Sequence, residues 1–246
     1  MFSFLKNHPF AVEAFFESSL VLTFAVHKDK LQHLIPPCLS LDLYEEEYAF
    51  VAMALVNTKA LRPKGFPAWL GQDFSLIGYR IFVRYTNSAG KKYRGLYILK
   101  SETDQPKMEW LGNLFTRYQY STTDIKYSKT GLQTHITSVR SDFTLTVEQT
   151  AEEPAMPSGS PFADWTAARK FAGPLPFTFS YDTLRKDVLI VEGVRQHWKP
   201  VPVTVHHHDI SFIKKLPLSK VVLANAFILS NIPYYWKKGR TEKWSI

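Results

Sequence analysis

Cysteine is nearly absent. Cys38 is the single one among 246 residues, so no intrachain disulfide can form and no cysteine pair is available for zinc or redox work. Its neighbours in "IPPCLSL" are apolar, the setting of an inert buried thiol rather than a nucleophile. Long apolar runs are missing as well. The longest, "LVLTFAV" and "VVLANAFIL", fall far short of the roughly 20 residues that a membrane-spanning helix needs. The N-terminal "MFSFLKNHPFAVEAFFESS" carries Glu13 and Glu17 and has no clean apolar signal core. These absences predict a protein of the reducing cytoplasm with no membrane partner. No Gly-x-Gly-x-x-Gly, phosphate-binding loop or Gly-x-Ser-x-Gly elbow occurs, which removes the usual signatures of nucleotide binding and serine hydrolysis. There is no internal repeat and no low-complexity tract.

What is present points to a packed, strand-rich chain. Apolar residues make up 45% and charged residues 21%, enough for a core and too apolar for disorder. Aromatics reach 15%, with 18 Phe and 12 Tyr, residue types that suit pleated, half-buried surfaces. The formal net charge is +8, but the basic residues are scattered, the densest group being "WKKGRTEK" at 236–243. A scattered excess reads as a soluble surface, so no nucleic-acid partner is expected. The length suits one domain over 1–246, with "PAMPSGSP" at 154–161 as the best loop.

Strands are expected at "SSLVLTFAVHK", "LSLDLY" and "YAFVAMALV", with a short helix at "KDKLQHLIPP" ended by Pro36 and Pro37. "LIGYRIFVRYT" alternates, so Ile77, Tyr79, Ile81 and Val83 face one way and Gly78, Arg80, Phe82 and Arg84 the other. It pairs through "NSAG" with "KKYRGLYILKSE". "DQPKMEWLGNLF" is a helix with Asp104 as its cap and Pro106 in the first turn. Three strand-like runs from 118 to 149 form a meander. Ser160 and Pro161 open a helix through "FADWTAARKFA". "PFTFSYD", "DVLIVEGVRQHW", "VPVTVHHHDISF" and "KVVLANAFIL" complete the strands. Strands and long helices do not alternate, so a β-rich barrel or sandwich with inserted helices fits better than a parallel α/β sheet.

Three constellations could carry chemistry. In "VHHHDI", His206 and His208 share a strand face at a chelating spacing. No other motif announces a third ligand, and a polar strand end is the simpler reading, so no metal or other cofactor is expected. Lysine pairs at 91–92, 214–215 and 237–238 raise imine chemistry. The first and last lie in solvated positions, and Lys214 and Lys215 would point to opposite faces of a strand. Arg80 and Arg84 flank Phe82 on one strand face; an arginine among apolar groups has a partner, either a protein carboxylate or an anionic ligand.

The order of motifs then resembles a known family. "LVLTFAVHKDKLQHLIPPCLSLDLYEEEYAFVAMAL" followed by "RPKGFPAWLGQDFSLIGYRIFVR" looks like the opening of the YqjF-like family, a branch of the acetoacetate decarboxylase-like superfamily. The helix through Trp110 and Leu114 into "FTRYQYS", and "GVRQHWKPVPV" later, extend the likeness over about four fifths of the chain. The resemblance implies a mainly β (α+β) fold: a closed, curved antiparallel β-barrel or cone, with a few short helices at its rim and an internal cavity. In the decarboxylases the segment after the second helix carries two adjacent lysines, one of which forms the Schiff base. Here that pair falls near Arg117 and Tyr118, neither able to form an ordinary ketone imine. The acidic residues usual before the arginine strand are replaced by Ser75, Leu76 and Gly78.

Both departures argue against acetoacetate decarboxylation by the Schiff-base route. The resemblance instead implies a cavity that binds a small carboxylate-bearing molecule. Arg80, Arg117, Tyr118 and Tyr120 are its expected polar anchors, with Trp198 of the "QHWKP" block beside them. The alternative is an enzyme on the same cavity, acting on a small organic acid or ketone, with His197 and Tyr118 moving protons. A homo-oligomer is compatible with either.

Overall fold

Long strands rich in aromatic and β-branched residues dominate the computed structural model, which describes residues 5–173, 175–197 and 199–244. In chain order the elements are β1 (Val12–His27), β2 (Leu39–Leu41), β3 (Tyr48–Pro63), β4 (Gln72–Thr86), β5 (Lys92–Thr103), α1 (Pro106–Phe115) and β6 (Tyr120–Thr122). There follow β7 (Lys126–Thr130), β8 (Gln133–Ser138), β9 (Phe143–Glu148), α2 (Trp165–Phe171), β10 (Phe177–Asp182) and β11 (Asp187–Arg195). The last are β12 (Val201–Pro202), β13 (Thr204–Ile210), α3 (Ser211–Lys215), β14 (Val222–Trp236) and β15 (Arg240–Lys243).

Eleven strands form one sheet in the order β12-β14-β1-β3-β4-β5-β10-β11-β15, with β2 added on β4 and β6 on β5. The other four form a separate sheet, β13-β9-β8-β7. The expected closed antiparallel barrel is therefore not what forms. The large sheet is mixed and is not closed into a barrel. It ends on β12 and β15, and β11 meets β14 over only three residue pairs, from Gly193 opposite Trp236 to Arg195 opposite Tyr234. β6 and β10 both run parallel to β5. The physical reason lies in the connections. α1 carries the chain from the end of β5 back to lie beside it as β6, and a helical crossover returns a strand in the same direction, which a hairpin cannot do. The 118–149 meander is diverted as well: β7, β8 and β9 pair with β13 in the second sheet.

The large sheet is covered on both faces. Residues 49–56 of β3 are all buried, which accounts for the unbroken apolar run "AFVAMALV" where a one-sided strand would alternate. Val51, Met53, Tyr79 and Ile81 pack with Ile136, Phe143, Leu145 and Val147 of the second sheet. On the opposite face Phe50, Ala52 and Phe82 pack with Phe162, Trp165 and Ala168 at α2. The alternation expected for 76–86 is reproduced, because β4 pairs on both sides with long strands.

Local starts differ from expectation. Asp104 does not cap α1; its carboxylate accepts from the Ser75 amide at 2.8 Å. α2 begins later than Ser160. Asp164 caps it, accepting from the Ala167 amide at 2.7 Å, while the Ser160 hydroxyl donates to the Ala224 carbonyl at 2.8 Å. Residues 211–215 are helical rather than extended, and Lys214 is tied to Asp209 at 2.6 Å.

Candidate functional site

The face of the large sheet that packs at α2 changes character along β4. Phe82 lies in the apolar cluster with α2. Two residues nearer the start of the strand is Arg80, opposite Ala52 of β3. Ala52 is in turn opposite Thr23, and Thr23 opposite Asn225, so the row Arg80, Ala52, Thr23, Asn225 crosses four strands on one face. Small residues make room for the guanidinium: a Cβ on Gly78 would stand 2.7 Å from its terminal nitrogen.

Arg84 shares this strand face but not this environment. It donates to the fully buried Asp42 at 2.5 Å, and Arg94 donates to the other oxygen of the same carboxylate at 2.7 Å. Among the described residues no carboxylate pairs with Arg80, and its Nε is buried without a hydrogen-bond partner. Its charged neighbourhood is made of Tyr234, Tyr120, Tyr118 and Arg195. Burial pulls its proton affinity below that of a free guanidinium, yet an arginine remains charged in proteins.

The tyrosines arrive from two directions. Tyr118 and Tyr120 follow α1, their rings 6.5 Å apart, and Gln119 between them has φ +53°. Asn113 of α1 clamps Tyr120, accepting from its amide at 2.9 Å and donating to its carbonyl at 2.8 Å. Tyr234 comes from the end of β14, stacked on Phe16 at 4.7 Å, with the Arg195 guanidinium 5.5 Å over its ring. A side chain at Gly193 would overlap the Tyr234 hydroxyl, and one at Gly112 would overlap the Tyr120 ring. Arg80, Tyr118, Tyr120, Tyr234 and Arg195 are all enclosed by protein and all keep some accessible surface. Burial raises the Tyr120 hydroxyl to about 12, with Arg80 pulling it back, and raises Tyr118 and Tyr234 as well. All three phenols are therefore neutral donors at physiological pH. The Thr178 side chain interacts with the Tyr118 hydroxyl.

Tyr118 and Tyr120 also form the inner wall of a cavity of about 220 Å³, which opens between α1, the start of β1 and the end of β3. Its wall is aromatic, with Phe10, Phe16, Phe74, Phe115 and Trp236. His8 lines it too, nearly fully buried, with φ +54° and no hydrogen-bond partner for Nδ1. Burial lowers the imidazole's proton affinity, so the ring is neutral near pH 7.

Of the expected site residues, Arg80, Tyr118 and Tyr120 converge. Arg117 does not join them: it points away, donating to Asn7 at 2.7 Å and lying 3.4 Å from Asp182. His197 is exposed, and Trp198 lies outside the described residues. The histidine pair is broken by a bulge between Val205 and His207. His206 pairs with Glu148 at 2.6 Å, while the His208 ring packs on Phe24 at 5.3 Å. Among the described residues no group of three or more His, Cys, Asp or Glu is placed to hold a metal. Cys38 is buried, its thiol pushed up to about 11 by burial. Among the described residues no helix is long and apolar enough to cross a membrane.

Sequence reading passed over Tyr234, Arg195, Asn225 and His8. The run "PYYW" at 233–236 does carry a signal, since alternation puts Tyr234 and Trp236 on one face. Nothing in the local sequence singles out His8 or Asn225.

Known structures share this architecture. An acetoacetate decarboxylase from Legionella pneumophila aligns over 95% of this chain and 88% of its own, at 12% identity and a TM-score of 0.61. An acetoacetate decarboxylase-like enzyme from Sphingomonas wittichii aligns over 98% and 94%, at 11% identity and a TM-score of 0.58. The enduracididine biosynthesis enzyme MppR, complexed with pyruvate, aligns over 96% and 92%, at 11% identity and a TM-score of 0.54. At such identities the likeness is one of fold. No curated protein matches by sequence. The model of DUF2071, described as an uncharacterized conserved protein (COG2071), matches residues 14–227, and the chain belongs to that family.

Proposed function

We propose that the interior space binds a small organic acid, with its carboxylate on Arg80 and its apolar body against the aromatic wall. The observation that carries this reading is Arg80 itself. It is an enclosed guanidinium among neutral phenols, with no carboxylate partner among the described residues. A buried cation costs free energy unless an anion accompanies it, and a carboxylate is the anion that a guanidinium and phenol donors match best. A pyruvate-bound relative in fold and the YqjF-like resemblance point the same way. The chemistry is not that of a Schiff-base decarboxylase, because the lysine position falls on Arg117 and Tyr118 and no lysine is among the described cavity wall residues. We place this activity in a cytoplasmic protein of one domain over 1–246, with no membrane or nucleic-acid partner.

Turnover of the bound acid is the second reading. It is favoured by the Tyr118 hydroxyl, which burial holds protonated in the neighbourhood of Arg80 and Thr178. A proton donor in that position suits acid catalysis on a carbonyl or enolate.

Calorimetric titration with hexanoate and with hexanol tests the binding reading. The acid should bind and the alcohol should bind far more weakly. Arg80→Gln should weaken hexanoate by about ten-fold or more, the value of a charge-assisted hydrogen bond. Equal binding of hexanoate by both proteins would sink it.

A further inference from the structure

His8 lines the cavity near the chain start, and Tyr118 and Tyr120 line it as well. Arg80 is not itself in the wall; it interacts electrostatically with those two tyrosines. The backbone of His8 is stapled in place, its amide donating to the Phe115 carbonyl at 3.1 Å and its carbonyl accepting from the Gly239 amide at 2.8 Å. Those two bonds fix the His8 backbone at φ +54°, a region in which His, like Asn and Asp, is found more often than other side chains. The ring it presents is buried, and among the described residues Nδ1 has no hydrogen-bond partner. An unpaired buried polar atom calls for an explanation, and a ligand that completes it is one.

Much of the remaining wall is made of aromatic rings, which favour a flat aromatic body over a flexible polar one. Resting on the organic-acid reading above, we infer that the ligand is an arylalkanoic acid carrying a hydrogen-bonding substituent on its ring, and that His8 reads that substituent. The carboxylate meets Tyr118 and Tyr120, whose electrostatic neighbour is Arg80, the ring lies against Phe16, Phe74 and Phe115, and the substituent meets the imidazole. A neutral imidazole both donates and accepts, so a phenolic hydroxyl satisfies it in either tautomer.

The test uses phenylpropionate and its para-hydroxy derivative, titrated into the full chain, His8→Asn and Arg80→Gln. Asparagine tolerates the positive φ but is too short to reach the substituent, so His8→Asn should fold. The unaltered protein should prefer the hydroxylated acid by about five-fold, the value of one neutral hydrogen bond. His8→Asn should abolish that preference, bringing the two acids to equal affinity. Arg80→Gln should weaken both acids. The imidazole nitrogen signals of His8 should shift with the hydroxylated acid and stay with phenylpropionate, a readout that a merely structural histidine would not give. Equal affinity for the two acids in the unaltered protein, or a His8→Asn loss shared equally by both, overturns the inference and leaves the organic-acid reading standing. Binding of neither acid, or binding indifferent to Arg80→Gln, overturns both.

Discussion

Arg80 and Arg84 sit on the same face of β4, separated by one phenylalanine, yet they live in opposite electrostatic settings. Arg84 and Arg94 share the buried carboxylate of Asp42, so each cation at that end has a protein anion as its partner. Arg80 has neutral phenols and a second cation, Arg195, around it. Two arginines that look alike in sequence thus divide into one that holds the sheet together and one that waits for an anion. The difference lies in what reaches them: β2 and the segment after it bring Asp42 to Arg84, whereas the end of β14 and the exit of α1 bring only hydroxyls to Arg80.

The largest expected effect breaks the paired end. Asp42→Asn leaves two guanidinium groups facing a neutral amide and should destabilise the fold by about 3 kcal/mol. That is the low end for a broken buried pair, because both arginines keep contact with water. Chemical denaturation of the purified variant reads this directly. Gly193→Ala attacks the other end by forcing a methyl group into the Tyr234 hydroxyl. It should cost about 2 kcal/mol, as overpacking does, and should weaken hexanoate binding as Tyr234 moves. If Gly193→Ala matches the parent in both denaturation and titration, the close packing of Tyr234 carries no weight.

Arg80→Met should do the reverse of Asp42→Asn. Removing a cation with no protein anion beside it should raise stability by about 1 kcal/mol while acid binding is lost. A variant destabilised like Asp42→Asn would mean that Arg80 is structural, and the contrast between the two arginines would collapse. Tyr118→Phe should have the smallest effect. The change removes at most one hydrogen bond, with Thr178, so stability should hold within about 1 kcal/mol, and only acid binding or turnover should fall.

How much of this was legible in the sequence follows from the range over which each force acts. Strand alternation is local, so the opposed faces of 76–86 and the 106–115 helix could be read directly. Partner identity is not local. Asp42 lies in "LSLDLY", 42 residues from Arg84, and nothing in either stretch says that they meet, whereas Arg80 meets no acid among the described residues. Sheet closure depends on which distant edges pair, and the antiparallel expectation failed because β6 and β10 return parallel to β5. His197 was favoured for its block and its titration range, but exposure places it outside the interior. His8 became visible only once its φ, its unpaired nitrogen and the cavity were known together.

The three-pair junction between β11 and β14 has a kinetic consequence. Arg195 and Tyr234 face each other there, while on its other side β14 is bonded to β1 along most of its length. Thermal opening follows the path of fewest cooperative bonds, so the junction should part long before the β1–β14 ladder frays. Amide protons of Gly193–Arg195 should then exchange with deuterium much faster than those in the middle of β1. A chamber that can loosen along one short edge lets small solutes come and go while the rest of the sheet stays intact, and the rate of that loosening would set how long a guest stays.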